Sequence, residues 1–445
     1  MRVNDRLPPV VTGPRPAPPA PWATWPAQLY VTVEKTEVSG YAWDDFEATW
    51  DGAGFVWDDP AVVTSSHVDA TCWVHGLSIT IGQPDAEGRM AAGELAMTLD
   101  NRAGTWGQYD ALGRLVDWLP GRAVDVWAVH AGAPWWLFSG EVTVWAERAN
   151  GTVEVEASDA FSRLNAHIGA WDPGAFGQTP AARLEAIATL IGYAGARRFD
   201  VGDVTLHGLT TERTPLEEMQ QVAMSDGGVL AVDADGTLLY RDRTWPGGRP
   251  DQTAIPVLSA NVCGPAVDAV VWDLELSTDD RVMVNIADLA NVATPPLEVH
   301  AENVESRALY GPQTLPANRD ADQWATTTEG QALADYLVTR RGDAYLRVDS
   351  AVLYLHDPNQ DLWPVGIDRR LGDVVELVQD VPAAGGGTNR LDLFLAVETI
   401  RHDITPDTWT VTVETTRTVS NRVSERWDLS LYAWDDPAPA NTWGH

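Results

Sequence analysis

Lysine is almost missing from this chain: Lys35 is the only one, so nearly all positive charge is carried by arginine. Cysteine is nearly as scarce. Cys72 and Cys263 stand far apart, too few for a disulfide framework and with no metal-knuckle spacing, and the sequence leaves open whether they pair. No apolar run reaches the roughly 18 residues that a membrane-spanning helix needs, so no membrane insertion is expected. After Arg2 and Arg6 the N-terminus turns to prolines, where a signal peptide requires a continuous apolar stretch; no export signal is therefore expected. Catalytic signatures are missing as well. The nine histidines, His130, His300, His356 and His402 among them, are scattered without an H-E-x-x-H pair. There is no G-x-S-x-G elbow and no glycine-rich loop ahead of a Lys-Ser or Lys-Thr. None of the 64 carboxylates is singled out as half of a glycosidase pair.

Acidic charge is what the chain has in excess. With 30 basic and 64 acidic residues the formal net charge is −34, a field that repels phosphate backbones and anionic membranes. A nucleic-acid binder is therefore not expected, and contact surfaces that are basic, polar or metal-bridged are favoured. Tryptophan is the second excess, at 21 residues. Rings of that area belong in cores or at interfaces with one wet edge, so part of this set is expected at subunit contacts.

Period-two alternation organises the rest. The clearest stretch runs from Gly93 to Asp159, with alternating runs at Glu94–Leu99, Val124–Val129, Glu141–Glu147 and Thr152–Ala157. Asn150-Gly151 between the last two is a strong hairpin signal. Leu29–Glu37 and residues 74–82 read as earlier strands, and Phe161–Leu164 as the closing one. Between 166 and 250 the period changes. Thr179-Pro180 starts a helix with Leu184, Ile187, Ala188 and Ile191 as its stripe. Thr214-Pro215, with Glu217 completing a capping box, starts another that Gly227 or Gly228 ends. Leu230–Val232, Asp235-Gly236 and Thr237–Arg241 make a hairpin. Residues 251–310 read as strand-rich, a helix runs from about Thr328 to Gly342, and strands resume at Tyr345–Leu355, Asp373–Val378, Leu391–Ile400 and Thr408–Thr415.

The late strands echo the early ones. Leu137-Phe138, a strand, a turn, then Val153 and Val155 are mirrored by Leu393-Phe394, a strand, Thr405-Pro406-Asp407, then Val411 and Val413. The resulting expectation is a mainly β protein with α+β insertions: two β-barrels separated by a small α/β domain and a helix. The divisions are a proline-rich arm at 1–26, a first barrel at 27–165, and an α/β insertion at 166–250. A strand-rich segment plus helix occupies 251–344, then come a second barrel at 345–418 and a tail at 419–445.

Two candidate sites stand out. Asp233-Ala234-Asp235-Gly236 echoes a calcium loop but lacks the downstream carboxylate, so a hairpin turn is expected and no cofactor is assigned. A Trp-Asp-Asp phrase recurs at Trp43-Asp44-Asp45, Trp57-Asp58-Asp59 and Trp434-Asp435-Asp436. It reads either as a docking turn or as an aromatic-plus-carboxylate surface for sugar or calcium.

Three phrases in the opening stretch, Leu99-Asp100-Asn101-Arg102-Ala103-Gly104, Pro120-Gly121-Arg122-Ala123-Val124 and Leu137-Phe138-Ser139-Gly140, resemble those of tail hub, or minor tail, proteins of long-tailed phages infecting actinobacteria. Further similarity at Arg183–Gly195, Ala223–Arg243 (including Asp235-Gly236) and Glu398–Val413 extends it over about residues 74–415. Ala103 departs from the usual acidic residue of the first phrase. The resemblance implies a non-enzymatic homotrimer in which each chain supplies two tube-like barrels, so that six continue a six-fold tail tube around the DNA channel. It implies a place at the distal end of the virion tail, after synthesis in the bacterial host cytoplasm. Implied partners are a distal tail protein ring, a tape-measure protein and fibre or spike proteins, with DNA passing unbound. A carbohydrate-binding adhesin using the Trp-Asp-Asp phrases, and a cell-wall hydrolase, stand as alternatives.

Overall fold

A computed structural model describes residues 25, 27–39, 62–84, 89–107, 118, 120–166, 169–245, 252, 255–261, 267–278, 283–315, 322–342, 346–357, 360–382 and 387–417. In chain order the first strands are β1 (Ala27–Ser39), β2 (Val62–Asp69), β3 (Val74–Ile81), β4 (Glu94–Asp100), β5 (Ala123–His130), β6 (Ala133–Arg148) and β7 (Thr152–Ser158). An inserted block carries α1 (Phe161–Leu164), β8 (Trp171–Gly174), α2 (Pro180–Leu190), β9 (Arg197–Phe199), β10 (Leu209–Thr211), α3 (Pro215–Asp226), β11 (Val229–Val232) and β12 (Leu238–Arg241). Then come β13 (Val257–Ser259), β14 (Ala269–Val270) and β15 (Asp273–Thr278). A second insert holds β16 (Ile286–Ala290), β17 (Glu298–Glu302), α4 (Val304–Tyr310) and α5 (Thr327–Arg341). The chain ends with β18 (Leu346–Tyr354), α6 (Trp363–Ile367), β19 (Val374–Pro382), β20 (Thr388–Ile404) and β21 (Trp409–Arg417).

The long strands form one 14-stranded sheet, and that sheet is a doubled object. Its first half runs β3-β4-β7-β6-β5-β1-β2 and its second half β15-β18-β21-β20-β19-β13-β14. The two halves have the same spatial order, and corresponding strands also come in the same chain order. The five strands from β3 to β5, and from β15 to β19, pair antiparallel throughout. The copies differ at the far end. β1 pairs antiparallel with β2 and β5, whereas the short β13 pairs parallel with β14 and β19.

Each half is built on one very long strand. β6 pairs with β5 through Glu141 and then with β7 from Glu141 to Arg148. β20 pairs with β19 through Ala396 and then with β21 from Leu395 to Ile404. The changeover on β6 falls at Gly140, where a Cβ would lie 2.4 Å from the Ser158 carbonyl oxygen. Only glycine leaves room for that backbone approach. Alternation then sends Leu95, Met97, Leu99, Val153, Val155, Val411 and Val413 into one core shared by both halves.

The two barrels expected from the sequence are not closed: no ladder among the described residues joins β3 to β2 or β15 to β14. The outer edge of β3 is taken by the other half instead, through the antiparallel ladder Leu77–Ile81 with Ile400–Ile404. Period-two patterning sets which face is buried but not which strand lies alongside.

The inserts share a second core. Leu184, Ile187, Met219, Val222 and Leu230 pack there with Ala287, Leu289, Leu333 and Leu337. Residues 251–344 thus contribute to both cores, β13–β15 to the large sheet and 283–342 to the insert. Two helix caps are those read from the sequence, Thr179 accepting from Ala182 and the Thr214–Glu217 capping box, and Thr326 with Glu329 forms a second box at the start of α5. Gly227 ends α3 in the left-handed region, as expected. Gly330 leaves space for the Trp324 ring, which a Cβ would meet at 2.8 Å.

Three expectations need correction. Phe161–Leu164 is the short helix α1, buried in the insert core, and not a closing strand. Four residues, of which only Phe161 and Leu164 are apolar, cannot distinguish the two periods. Residues 304–310, read within a strand-rich stretch, form α4, capped by Asn303 accepting from Ser306. Within residues 251–310, read as strand-rich, residues 283–285 are not strand and β16 begins at Ile286. Trp25, at the end of the proline-rich arm, packs against the large core of its own chain.

Candidate functional site

The first family-like phrase forms the turn in which β4 ends. Leu99 is fully buried in the large core, and Asp100 and Arg102 are at the surface as a bidentate pair with Arg102 Nε 2.9 and 3.0 Å from the two carboxylate oxygens. The Arg102 side chain and its backbone N–H both donate to Asp100 and hold its carboxyl well below the usual carboxylate range. Asn101 does the structural work. Its backbone N–H reaches the Gly151 carbonyl of the β6–β7 hairpin at 2.8 Å. Its amide donates to Glu147 at 3.0 Å, and its side-chain oxygen accepts from the Trp106 N–H at 2.7 Å. Gly104 closes the turn by donating to the Asn101 carbonyl at 2.8 Å.

Behind that turn lies an aromatic cluster that sequence reasoning did not assemble. The fully buried Trp106 ring meets Trp73 edge-on at 5.3 Å and Trp118 at 4.6 Å, and Trp118 stacks on Trp145 at 5.5 Å. Trp145 Nε1 donates to the Trp106 carbonyl at 2.9 Å. Pro120-Gly121 turns beside it, with Gly121 and Val142 bonded at 2.7 Å. The second half repeats this device. Leu355, just past β18, donates to the carbonyl of Trp409 at the start of β21, as Asn101 does to Gly151. Trp363 of α6 then meets Trp409 edge-on at 5.3 Å. Into this second cluster comes Trp25, from just ahead of β1, with His356 at 4.5 Å, Trp409 at 5.8 Å and Trp363 at 6.1 Å. The start of the first half is thereby pinned to the second.

Leu137 and Phe138 are buried in the large core beside Gly140. Leu137 also reaches the junction of all three parts, where Ile81, Ile400, His402 and the Asp233–Ala234 turn surround a gap of only ≈ 10 Å³. Arg370 holds Asp233 at 3.3 Å across it. Asp235-Gly236 is a hairpin turn: Asp235 accepts from Thr237 at 2.9 Å and Gly236 donates to the Asp233 carbonyl at 2.8 Å. His402 is buried, with its ordinary value pushed down to about 4 by desolvation, and its Nδ1 accepts from Trp409 Nε1 at 3.2 Å. It is a neutral core histidine.

The structure thus brings the Asp100-Asn101-Arg102, Gly104 and Pro120-Gly121 residues to one rim, Leu137 and the Asp235 hairpin to the junction, and Phe138 into the large core. Trp43, Asp44, Asp45, Trp57, Asp58, Trp434 and Asp435 lie outside the described residues.

The insert core hides a polar network that carried no sequence signal. Fully buried Arg183 donates to Gln178 at 2.7 Å, to Gln323 at 3.2 Å and to the Ala175 and His207 carbonyls. Gln323 bonds Glu218, which pairs with Arg213 at 3.3 Å. Of these contacts Gln323 reaches across to the second insert and the others brace the first, a positioning role rather than a reactive one.

The sequence matches no family model and no curated protein sequence. Solved structures do match. The tail protein from Neisseria meningitidis MC58 superposes with a TM-score of 0.50 at 11% identity, covering 87% of this chain and 96% of that one. The 43 kDa tail protein of prophage MuSo2 from Shewanella oneidensis gives a TM-score of 0.50 at 15% identity, over 87% and 98%. At such identities the likeness is one of fold, and the fold of this chain is similar to that of phage tail proteins over most of its length.

Proposed function

We propose that the chain is a structural component of a phage tail tip: a hub, or minor tail, protein. In this reading it joins a six-fold tail tube to three-fold tip or fibre proteins around the DNA channel. The observation that supports it best is the doubled sheet. One chain carries the same strand order twice, so three chains present six similar units, and the single set of inserts per chain presents three. That is what a protein needs in order to match two symmetries. In this role the strand-rich halves form the ring and residues 160–245 with 283–342 face the three-fold partners. Distal tail, tape-measure and fibre proteins are the partners this position supplies. The net charge of −34 suits a wall past which DNA slides without adhering.

The chemistry of the described residues agrees with a scaffold. Carboxylates and arginines at the rim, the junction and the insert core are engaged in pairs and backbone bonds that fix turns and strand ends. The test is placement: antibodies raised against the chain should label the distal tail end of the virion in electron micrographs. Labelling of the capsid or the tail shaft, or none, overturns the reading.

A further inference from the structure

The helix α4 is built the wrong way round for a chain that stands alone. Its one buried residue is polar, Ser306 at 1% exposed, while Val304 and Leu309 stand 68% and 75% exposed and Tyr310 43%. Of the eight large apolar side chains exposed among the described residues, three lie on this seven-residue helix. Ala308 and Pro312 beside them are exposed as well. A surface helix ordinarily turns its apolar stripe to the core.

Hydrogen bonds, not apolar packing, hold the helix in place. Asn303 caps it by accepting from the Ser306 N–H at 3.0 Å. Ser306 Oγ donates to the Gly342 carbonyl just past α5. Fully buried Asn285 lies underneath. Its side-chain amide donates to Ser306 Oγ at 3.2 Å and to the Gly311 carbonyl at 2.8 Å, and its side-chain oxygen accepts from the Gln313 N–H at 2.8 Å. The Asn303 N–H adds a bond to the Asn285 carbonyl at 2.9 Å. Both ends of α4 are thus pinned before any partner arrives, which lowers the ordering cost of binding.

The charge around the helix selects the partner. Glu305 on α4, Glu298 on β17 and Asp288 on β16 are exposed. Glu302 pairs with Arg307, and His300 is held by Asp288 at 2.6 Å. Four carboxylates thus surround one arginine and one histidine, a field that repels an anionic membrane and favours basic groups. A second copy of the chain is a poor source of these. Lys35 is the single lysine, and exposed Arg102, Arg148, Arg163 and Arg401 are each engaged by a carboxylate of their own chain.

We propose that α4 docks a different protein, one whose apolar pocket receives Val304 and Leu309 and whose rim carries lysine or arginine. An apolar centre inside a polar rim is the ordinary anatomy of a protein contact. The inference rests on the tail reading above, which makes the virion the place where the partner is found.

The test puts a photo-reactive benzophenone amino acid at Leu309 of the full chain during phage assembly, and purified virions are irradiated. Peptide mass spectrometry should find position 309 joined to another virion protein, with lysine or arginine flanking the linked residue. Adding Glu305→Lys should cut the yield several-fold. Val304→Asp with Leu309→Asp, both at exposed positions, should leave the circular dichroism spectrum of the chain unchanged and deplete virions of the linked protein. Linkage to a peptide of this chain, to lipid or to an acidic site overturns the docking assignment, as does no linkage in virions that contain the chain. Virions without the chain overturn the tail reading itself, and the docking inference with it.

Discussion

Asn101→Ala tests the idea that one buried amide ties the rim turn, the β6–β7 hairpin and the tryptophan cluster together. The substitution removes two side-chain bonds. The Trp106 N–H, in a fully buried residue, loses its acceptor at 2.7 Å, and a stranded buried donor costs about 1–3 kcal/mol. The bond to Glu147 at 3.0 Å goes as well; because Glu147 is exposed, its loss costs under about 1 kcal/mol. Together this is about 2–4 kcal/mol. With a urea slope of about 3 kcal/mol/M the midpoint should fall by roughly 1 M. Intrinsic fluorescence should follow that transition, and near-ultraviolet circular dichroism should report the stacked Trp118–Trp145 pair directly. Glu147→Gln is the control: its amide oxygen still accepts, so a change within about 0.5 kcal/mol is expected. A midpoint shift for Asn101→Ala below about 0.2 M, equivalent to about 0.6 kcal/mol at that slope, would refute the reasoning, because the Trp106 N–H would then have another partner.

Gly140→Ala should destabilise by about 2 kcal/mol or more, because its Cβ would lie 2.4 Å from a backbone oxygen and the β6–β7 ladder must shift; unchanged thermal stability would contradict the crossing geometry. Trp25→Ala should cost about 3 kcal/mol, the scale of removing a packed aromatic side chain, and should loosen the first half from the second, read as faster amide exchange at both β1 and α6. His402 contributes a pH dependence of definite sign. Its folded value of about 4 lies below the unfolded one of ~6.5, so the unfolded chain binds the extra proton between the two. Stability relative to His402→Gln should therefore fall as pH drops through that window and be flat above pH ~7; a difference that does not change with pH sinks the buried-neutral assignment.

Much of this protein was legible locally. Period-two runs placed β1, β3 to β5, β7 and β18 to β21 within a few residues, and the second half of β6, since alternation in one segment reports its own buried face. Thr179, the Thr214–Glu217 box and the Asn150-Gly151 turn were readable because each acts on backbone groups within three residues. The echo of Leu137-Phe138 in Leu393-Phe394 pointed to a doubling for the same reason: similar strands need similar residues. Lost to the sequence were α1, α4 and α6, each of seven residues or fewer, too short for a helical period to declare itself.

Only the tertiary structure decided how the halves meet. The β3–β20 ladder joins Ser78 to Asp403, and nothing in either strand names a partner so far along the chain. Arg183, Gln323 and Glu218 likewise become a network only when two inserts fold onto each other. The sequence determined that strands of a given face exist and that they occur twice. Which edges they satisfy is set by packing between distant segments, where hydrogen bonding is the same for every residue type and pattern alone cannot choose.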